Sequence, residues 1–325
     1  MKTVITGGAG FIGSHLVDAL LADGHEVVVL DNFSTGRREN ISHATHELQV
    51  VECDLSIEGS WFSYFENADW VLHLAALADI VPSIQNPQAY FWTNVNGTLN
   101  VLTAAKLGGV QRFIYAASSS CYGIPNLYPT PEEAEIRPQY PYALTKRLAE
   151  ELVLHWAEVY KLPALSLRFF NVYGPRSRTS GSYGAVFGVF LSQKLSGRPF
   201  TVVGDGEQTR DFTYVTDVVA AILSAARSDY CQRIFNVGSG ATVSINRIVE
   251  LLEGPKVHIP KRPGEPDCTF ANISRIRSEL GWEPAISIEV GVANLLENIH
   301  YWNDAPVWTA ETIAETTKDW FRYLS

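Results

Sequence analysis

The chain has 325 residues, enough for one large domain or two lobes sharing a core. Its formal net charge is −10 with no basic run, which argues against nucleic acid or an anionic membrane as main partner, so an anionic substrate would need locally placed arginines. No apolar stretch is long enough to span a membrane, and with the first strand at the very start of the sequence no signal peptide is expected. The four cysteines, Cys53, Cys121, Cys231 and Cys268, are scattered without metal spacing, so a cytoplasmic protein with reduced thiols and no metal is expected.

The first predicted strand, Thr3–Thr6, runs directly into Gly7-Gly8-Ala9-Gly10-Phe11-Ile12-Gly13. Leu16, Leu20 and Leu21 then fall on one side of a helix that Gly24 can end. Glycines at positions 7, 10 and 13 allow a tight turn and a close approach to a pyrophosphate, while the new helix aims its first amides at the phosphate charge. A second strand, Glu26–Leu30, ends at Asp31, 18 residues past Gly13, near the spacing at which a carboxylate accepts from a ribose 2′-hydroxyl. The order strand, glycines, helix, strand, acid predicts dinucleotide binding by Gly7, Gly10, Phe11, Ile12, Gly13, Asp31 and Asn32. A carboxylate at position 31 repels a 2′-phosphate and favours NAD over NADP, although Arg37 and Arg38 lie close in sequence.

Further strands are predicted over Leu48–Glu52, Trp70–Leu74, Arg112–Ala116 and Ala164–Arg168, with helices over Tyr90–Leu107 and Tyr142–Tyr160. This alternation predicts an α/β fold with a doubly wound parallel (Rossmann) sheet and ligands beyond the carboxyl ends of its strands. After about residue 171 Gly, Pro and Arg become frequent, as expected for a smaller, loop-rich substrate lobe, while Ile234–Gly238 reads as one more strand of the first sheet. The expected division is 1–171 with 212–238 for the dinucleotide domain, and 172–211 with 239–325 for the second lobe. In the tail, Ile313, Thr317, Trp320, Phe321 and Leu324 have helical spacing and predict a packed terminal helix.

Tyr142 and Lys146 lie four residues apart and share one face of a helix. A phenol ordinarily titrates near about 10, and bringing it to about 7 takes roughly 4 kcal/mol. A nearby ammonium and an oxidised nicotinamide both favour the phenolate, which could then take a proton from a sugar hydroxyl. Ser118, Ser119 and Ser120 follow a strand on the ligand side, where small hydroxyls can hold a substrate, and Ser118 is the candidate proton relay. His73 reads as a packed core residue, Asp211 and Asp217 as structural acids, and Cys121 as packing, since no partner base accompanies it.

The segments TGGAGFIG (6–13), HLAA (73–76), SSSCYG (118–123), YPYALTK (140–146), RFFNVYGP (168–175), RDFTYVTD (210–217) and FNVGSG (235–240) occur in this order along nearly the whole chain. Together they resemble the extended short-chain dehydrogenase/reductase superfamily, within it the NAD-dependent nucleotide-sugar epimerase/dehydratase family, and most of all the UDP-glucose 4-epimerases. The resemblance implies tightly held NAD and a 4-keto sugar that turns over between two hydrogen transfers at C4. It implies that Tyr142 and Ser118 remove the hydroxyl proton and that Lys146 lowers the Tyr142 pKa and binds the nicotinamide ribose. It further implies adenine contact at Asp54 with Leu55, cofactor contacts at Ala75, Ala76 and Asn94, and a sugar-nucleotide diphosphate site at Asn171, Arg210 and Arg262. Two arginines in glycine-bearing loops of an acidic protein also suit a phosphate clamp.

Family dehydratases carry an Asp-Glu pair where this chain has Ser119-Ser120, and a hydroxyl cannot replace a carboxyl group in acid–base work near neutral pH. C4 epimerisation is therefore the expected reaction, with dehydration or 4-keto reduction as the alternative and a non-catalytic dinucleotide sensor as the second. For the sugar, the resemblance places Thr269 at a position that limits bulk, admitting more than a plain hexose. Arg178 matches a position that holds a uronate carboxylate in some relatives, yet Asn171 and Asp79 speak against a uronate. Hexose and N-acetylhexosamine are ranked level and uronate third. The resemblance alone implies the UDP nucleotide and a homodimer formed through the two long helices, where Leu144, Leu148, Leu152, Trp156 and Val159 offer an apolar face.

Overall fold

The computed structural model describes residues 1–43, 47–177 and 185–324. Seven strands, β1 (Lys2–Thr6), β2 (Glu26–Asp31), β3 (Leu48–Glu52), β4 (Trp70–His73), β5 (Arg112–Ser118), β6 (Ala164–Phe169) and β7 (Arg233–Val237), form one sheet in the order β3-β2-β1-β4-β5-β6-β7. All pairings in it are parallel. The order reverses between β1 and β4, which opens a crevice beyond their carboxyl ends.

Both faces of the sheet are covered, and the strand residues alternate accordingly. Ile5, Val27 and Val29 pack toward α1 (Phe11–Ala22) and α4 (Val215–Arg227), whereas Val4, Val28 and Leu30 pack toward α2 (Gly97–Leu107) and α3 (Pro141–Val159). A buried ion pair fastens α3 to the sheet. Arg168 on β6 donates from Nε and Nη2 to Glu150 at 3.0 and 2.7 Å, Ser166 Oγ adds a bond of 2.7 Å, and both charged side chains are 1 % exposed.

A second core gathers Phe187, Phe190, Phe200, Ile248 and Trp302 around three short two-stranded pairings. In these, Asn171–Tyr173 pairs with Phe212–Tyr214, Thr209–Arg210 with Val243–Ser244, and Phe200–Val203 with Lys256–Ile259. The helix Ser274–Leu280, by contrast, sits against β7, and its Ile276 joins the core of the large sheet. Among the described residues no helix is long and apolar enough to cross a membrane.

Three predicted elements differ in detail. The fifth strand continues to Ser118, so only Ser119–Tyr122 form the turn that follows it. The helix expected over Tyr90–Leu107 is built from Pro87–Tyr90, a wide turn at Phe91–Asn96, and α2. Such a wide turn re-aims a side chain inward; here it is Asn94, which bonds Leu77 N, Leu77 O and Thr145 Oγ1. The tail forms two short helices, Ala310–Thr316 and Lys318–Tyr323, divided at Thr317, whose hydroxyl donates to Ile313 O at 2.7 Å, a bond that bends helices. Ile313, Thr317 and Trp320 are buried as the spacing predicts, while Phe321 is exposed.

Candidate functional site

A cavity of about 700 Å³ runs from the glycine turn after β1 to Trp320 in the tail. At its cofactor end, Gly7 has φ +71°, and a Cβ there would stand 2.8 Å from Ala75 N. A Cβ on Gly13 would meet Gly7 O at 2.2 Å, so that position lets α1 seat on the turn, whereas a Cβ on Gly10 would contact only Gly7 O, at 3.1 Å. α1 begins at Phe11 with no side-chain cap and no acid in its first turn, which leaves its leading amides and dipole for an anion. Gly7, Gly10, Phe11, Ile12 and Gly13 all line the cavity.

Asp31 closes β2 with Oδ2 accepting from Ala9 N at 3.0 Å and Oδ1 from Phe33 N at 2.8 Å. Burial pushes its carboxyl pKa up and the two N–H groups pull it down. A carboxylate has about four acceptor sites, so capacity for ribose hydroxyls remains. The neighbouring arginines have other partners. Arg38 pairs with Glu52 and covers the Phe33 ring at 3.9 Å, and Arg37 lies 5.0 Å over the Tyr301 ring and 3.6 Å from Glu39. Asn32, Asp54, Leu55, Ala75 and Ala76 line the same end. Asp54 is exposed and accepts from Ser56 N and Oγ, and Ala75 N donates to Thr6 Oγ1 at 3.2 Å. Asn94 differs from the expectation: it is 1 % exposed, stands behind the cavity wall, and ties Leu77 to Thr145 on α3.

At the centre, Ser118 ends β5, its Oγ lying 2.8 Å from Ser120 Oγ and accepting from Ser120 N at 3.2 Å. Ser119 and Ser120 also line the cavity. Tyr142 stands in the first turn of α3, half-buried, its ring parallel to that of Tyr140 at 6.3 Å and edge-on to Tyr90 at 6.5 Å. Burial raises the phenol pKa, the Asp79 charge adds to this, and a hydrogen bond with Ser118 opposes it. Lys146 is buried below, with Nζ donating to Ala116 O at 2.5 Å and lying 4.4 Å from the Tyr115 ring centre. Burial lowers its pKa to about 7 against the opposing charge of Glu150. The expected lowering of the Tyr142 pKa by Lys146 is thus not found: the phenol stands above its ordinary value, because desolvation dominates and the ammonium is turned to a carbonyl and a ring face.

At the far end, Asn171 lines the cavity and Thr269 Oγ1 donates to its Oδ1 at 2.7 Å. Arg210, expected in a glycine loop, lies in the strand Thr209–Arg210, 8 % exposed, with Nη2 2.9 Å from Glu265. Arg262 Nε approaches the other oxygen of Glu265 at 3.1 Å. Both guanidiniums line the cavity, converging on one carboxylate. Arg178 lies outside the described residues.

The residues read as structural are so placed. His73 is bonded through Nδ1 to Thr6 at 2.6 Å and through Nε2 to Thr98 at 2.9 Å, and burial lowers its pKa to about 3. Asp211 accepts from Ser239 N and Ala271 N, and Asp217 from Ile286 N. Burial raises the Cys121 thiol to about 12, which keeps it protonated and unreactive. Sequence reasoning missed Glu265, Tyr140, Tyr301, Trp308 and Trp320 as lining residues. Only the density of aromatics in the tail could have drawn attention to the last three.

The NAD dependent epimerase/dehydratase family model matches residues 3–238, and the chain belongs to that family. It is 36% identical to a UDP-glucose 4-epimerase of Mycolicibacterium smegmatis over 91% of this chain and 98% of that protein. It is similar in structure to the UDP-N-acetylglucosamine 4-epimerase of Methanobrevibacter ruminantium in complex with UDP-N-acetylmuramic acid, with TM-score 0.85, 33% identity, and coverage of 91% of this chain and 98% of that one. The UDP-glucuronic acid 4-epimerase of Bacillus cereus, in complex with UDP-glucuronic acid and NAD, has TM-score 0.86 and 32% identity, covering 92% of this chain and 99% of that chain. NAD is the cofactor of this family. The glycine turn that a Cβ on Gly7 or Gly13 would obstruct, the uncapped start of α1 and the backbone-held carboxylate of Asp31 fit it.

Proposed function

We propose that the protein epimerises C4 of a UDP-sugar through a transient 4-keto sugar. The observation that carries the reading is the pairing of Tyr142 with Ser118 beside a turn that offers Ser119 and Ser120 and no carboxyl pair. Gly7, Gly10, Phe11, Ile12 and Gly13 would hold the cofactor's diphosphate, and Asp31 its adenosine ribose. When bound, NAD accepts the C4 hydrogen and gives it back, and its oxidised form brings a positive charge that favours a phenolate. Tyr142 takes the proton of the 4-hydroxyl and returns a proton to that same oxygen when the keto group, with its other face presented, is reduced. Ser118, bonded to the phenol, holds the hydroxyl in line. Lys146 supplies a buried, proton-labile amine below it. Arg210, Arg262 and Asn171 hold the diphosphate and sugar, and the proposed division is 1–171 with 212–238 for the cofactor and 172–211 with 239–325 for the sugar nucleotide, the helix Ser274–Leu280 packing on the first core.

A neutral sugar is the preferred substrate in this reading, either a hexose or an N-acetylhexosamine. Asp79 lines the cavity and its charge is felt at Tyr142, which disfavours a uronate carboxylate there. Dehydration would need an acid in the serine turn, and a sensor would not need Tyr142 and Lys146 together. Proton NMR of the purified protein with UDP-N-acetylglucosamine and no added cofactor tests the reading. Growth of a second anomeric signal with the axial C4 pattern is expected. No change with this sugar, UDP-glucose or UDP-glucuronate, in protein shown to hold NAD, would overturn it.

The same reading includes a homodimer. Leu144 and Leu148 on α3 are 49% and 37% exposed, and Phe91 and Trp92 beside α2 are exposed too, while Leu152 and Trp156 pack on the sheet's core. Sedimentation of wild type against the double variant Leu144→Glu, Leu148→Glu tests it, a shift from dimer to monomer being expected.

A further inference from the structure

The tail does more in this structure than cover a core. Trp320 is 3 % exposed, yet it lines the cavity together with Tyr142, Asp79, Ser120 and Thr269. Its Nε1 donates to Pro263 O at 2.7 Å, one residue from Arg262. The Arg262 guanidinium lies 5.2 Å from the Trp320 ring, and the Tyr140 ring, parallel to that of Tyr142, lies 6.3 Å from it. The preceding residue, Asp319, accepts from Gln85 Nε2 at 3.1 Å. Gln85 ends the helix Ile80–Gln85, whose first residues also line the cavity. One short terminal helix therefore ties the helix Ile80–Gln85 to the loop of Arg262 and stacks on that arginine.

We propose that Trp320 is a positioning residue for substrate binding: it walls the sugar-nucleotide end of the cavity and, through its ring and its bond to Pro263 O, sets the reach of Arg262 toward a diphosphate. This rests on the reading of the cavity as a UDP-sugar site. Arg262 Nε is also paired with Glu265, a carboxylate shared with Arg210. The flat face of a guanidinium is fixed by a ring packed on it. The long sequence distance between residues 262 and 320 makes the contact a property of the folded tail and not of the loop.

The test is calorimetric binding of UDP, with KM and kcat for UDP-N-acetylglucosamine and UDP-glucose, on NAD-loaded wild type, Trp320→Leu, Trp320→Phe, Arg262→Lys and the double variant Trp320→Leu, Arg262→Lys. Trp320→Leu is expected to raise the UDP Kd and the KM by about tenfold, the scale of one well-packed cation–π contact, with kcat within about twofold. Trp320→Phe restores a ring without the bond to Pro263 O and is expected to rescue part of the loss. Arg262→Lys keeps charge without a flat face and is expected to reproduce it, with no further loss in the double variant. An unchanged Kd in Trp320→Leu, or full additivity with Arg262→Lys, overturns the proposal. Trp320→Met, which keeps apolar volume without a ring, replaces Trp320→Leu if circular dichroism shows the latter unfolded. Wild type that fails to bind UDP overturns the functional reading and this proposal together, whereas wild type that binds UDP with unaffected variants overturns this proposal alone.

Discussion

Thr269 Oγ1 donates a hydrogen bond of 2.7 Å to Asn171 Oδ1 and accepts one of 3.2 Å from Asp211 N. The hydroxyl is therefore a bridge between the backbone beside Arg210 and a cavity-lining amide. By taking the carbonyl oxygen of Asn171, it turns that residue's two N–H donors to the remaining contacts. Thr269 is small, as the sequence reading requires of a residue that admits bulk, and it also orients its neighbour.

The two roles separate by substitution. Thr269→Val keeps the volume and removes the bridge, so KM for every accepted sugar should rise by about two- to tenfold, the range of one neutral hydrogen bond. Thr269→Tyr fills the space and should cut kcat/KM for UDP-N-acetylglucosamine at least tenfold more than for UDP-glucose. Steady-state kinetics with both sugars read this directly. Intact activity of Thr269→Tyr on the N-acetylated sugar would remove the steric role.

Tyr142→Phe keeps the ring between Tyr140 and Tyr90 and deletes the hydroxyl. General acid–base catalysis contributes about 10²–10⁴-fold, so kcat should fall by that factor while UDP affinity and bound NAD persist. Equal inactivity of wild type and variant, both holding NAD, would favour a sensor.

His73 gives a pH dependence of stability. Its folded pKa is lowered to about 3 by burial, and Thr6 and Thr98 hold both ring nitrogens. Below the ordinary histidine pKa of about 6.5 the unfolded chain takes up a proton that the folded chain refuses, so stability falls as pH falls through the window from about 6.5 to about 3. Between pH 7 and pH 5 the loss from this group should be about 2 kcal/mol. Urea denaturation of wild type and His73→Gln at both pH values checks it: the variant should lack that increment, and equal losses in both would assign the acid sensitivity elsewhere.

Glu150→Ala should cost about 3–5 kcal/mol, because it strands the Arg168 charge in the core. Glu150→Gln keeps acceptors for Arg168 and Ser166 and should cost less. Guanidinium titrations of the two variants decide the order. A loss within about 0.5 kcal/mol in Glu150→Ala would show that the pair contributes no net stability.

The sequence by itself determined the sheet, the glycine turn, Asp31 at its second strand and the Tyr142–Lys146 spacing. Each is encoded in a short window, where a period of two or of 3.6 residues, or a glycine that must take a positive φ or a close approach, leaves few local alternatives. Two readings of single residues then depended on packing beyond that window. Lys146 shares a helix face with Tyr142, yet burial under β5 turns its ammonium to Ala116 O and Tyr115. Asn94 is drawn inward by a wide turn that no propensity announces. The resemblance already grouped Arg210 with Arg262, but only the tertiary structure brought Glu265 and Trp320 beside them. Those residues span more than a hundred positions, and no local pattern specifies which charge or ring a closed chain places beside another; that is decided when the second core and the tail pack, because burying a guanidinium demands a carboxylate or a ring face next to it.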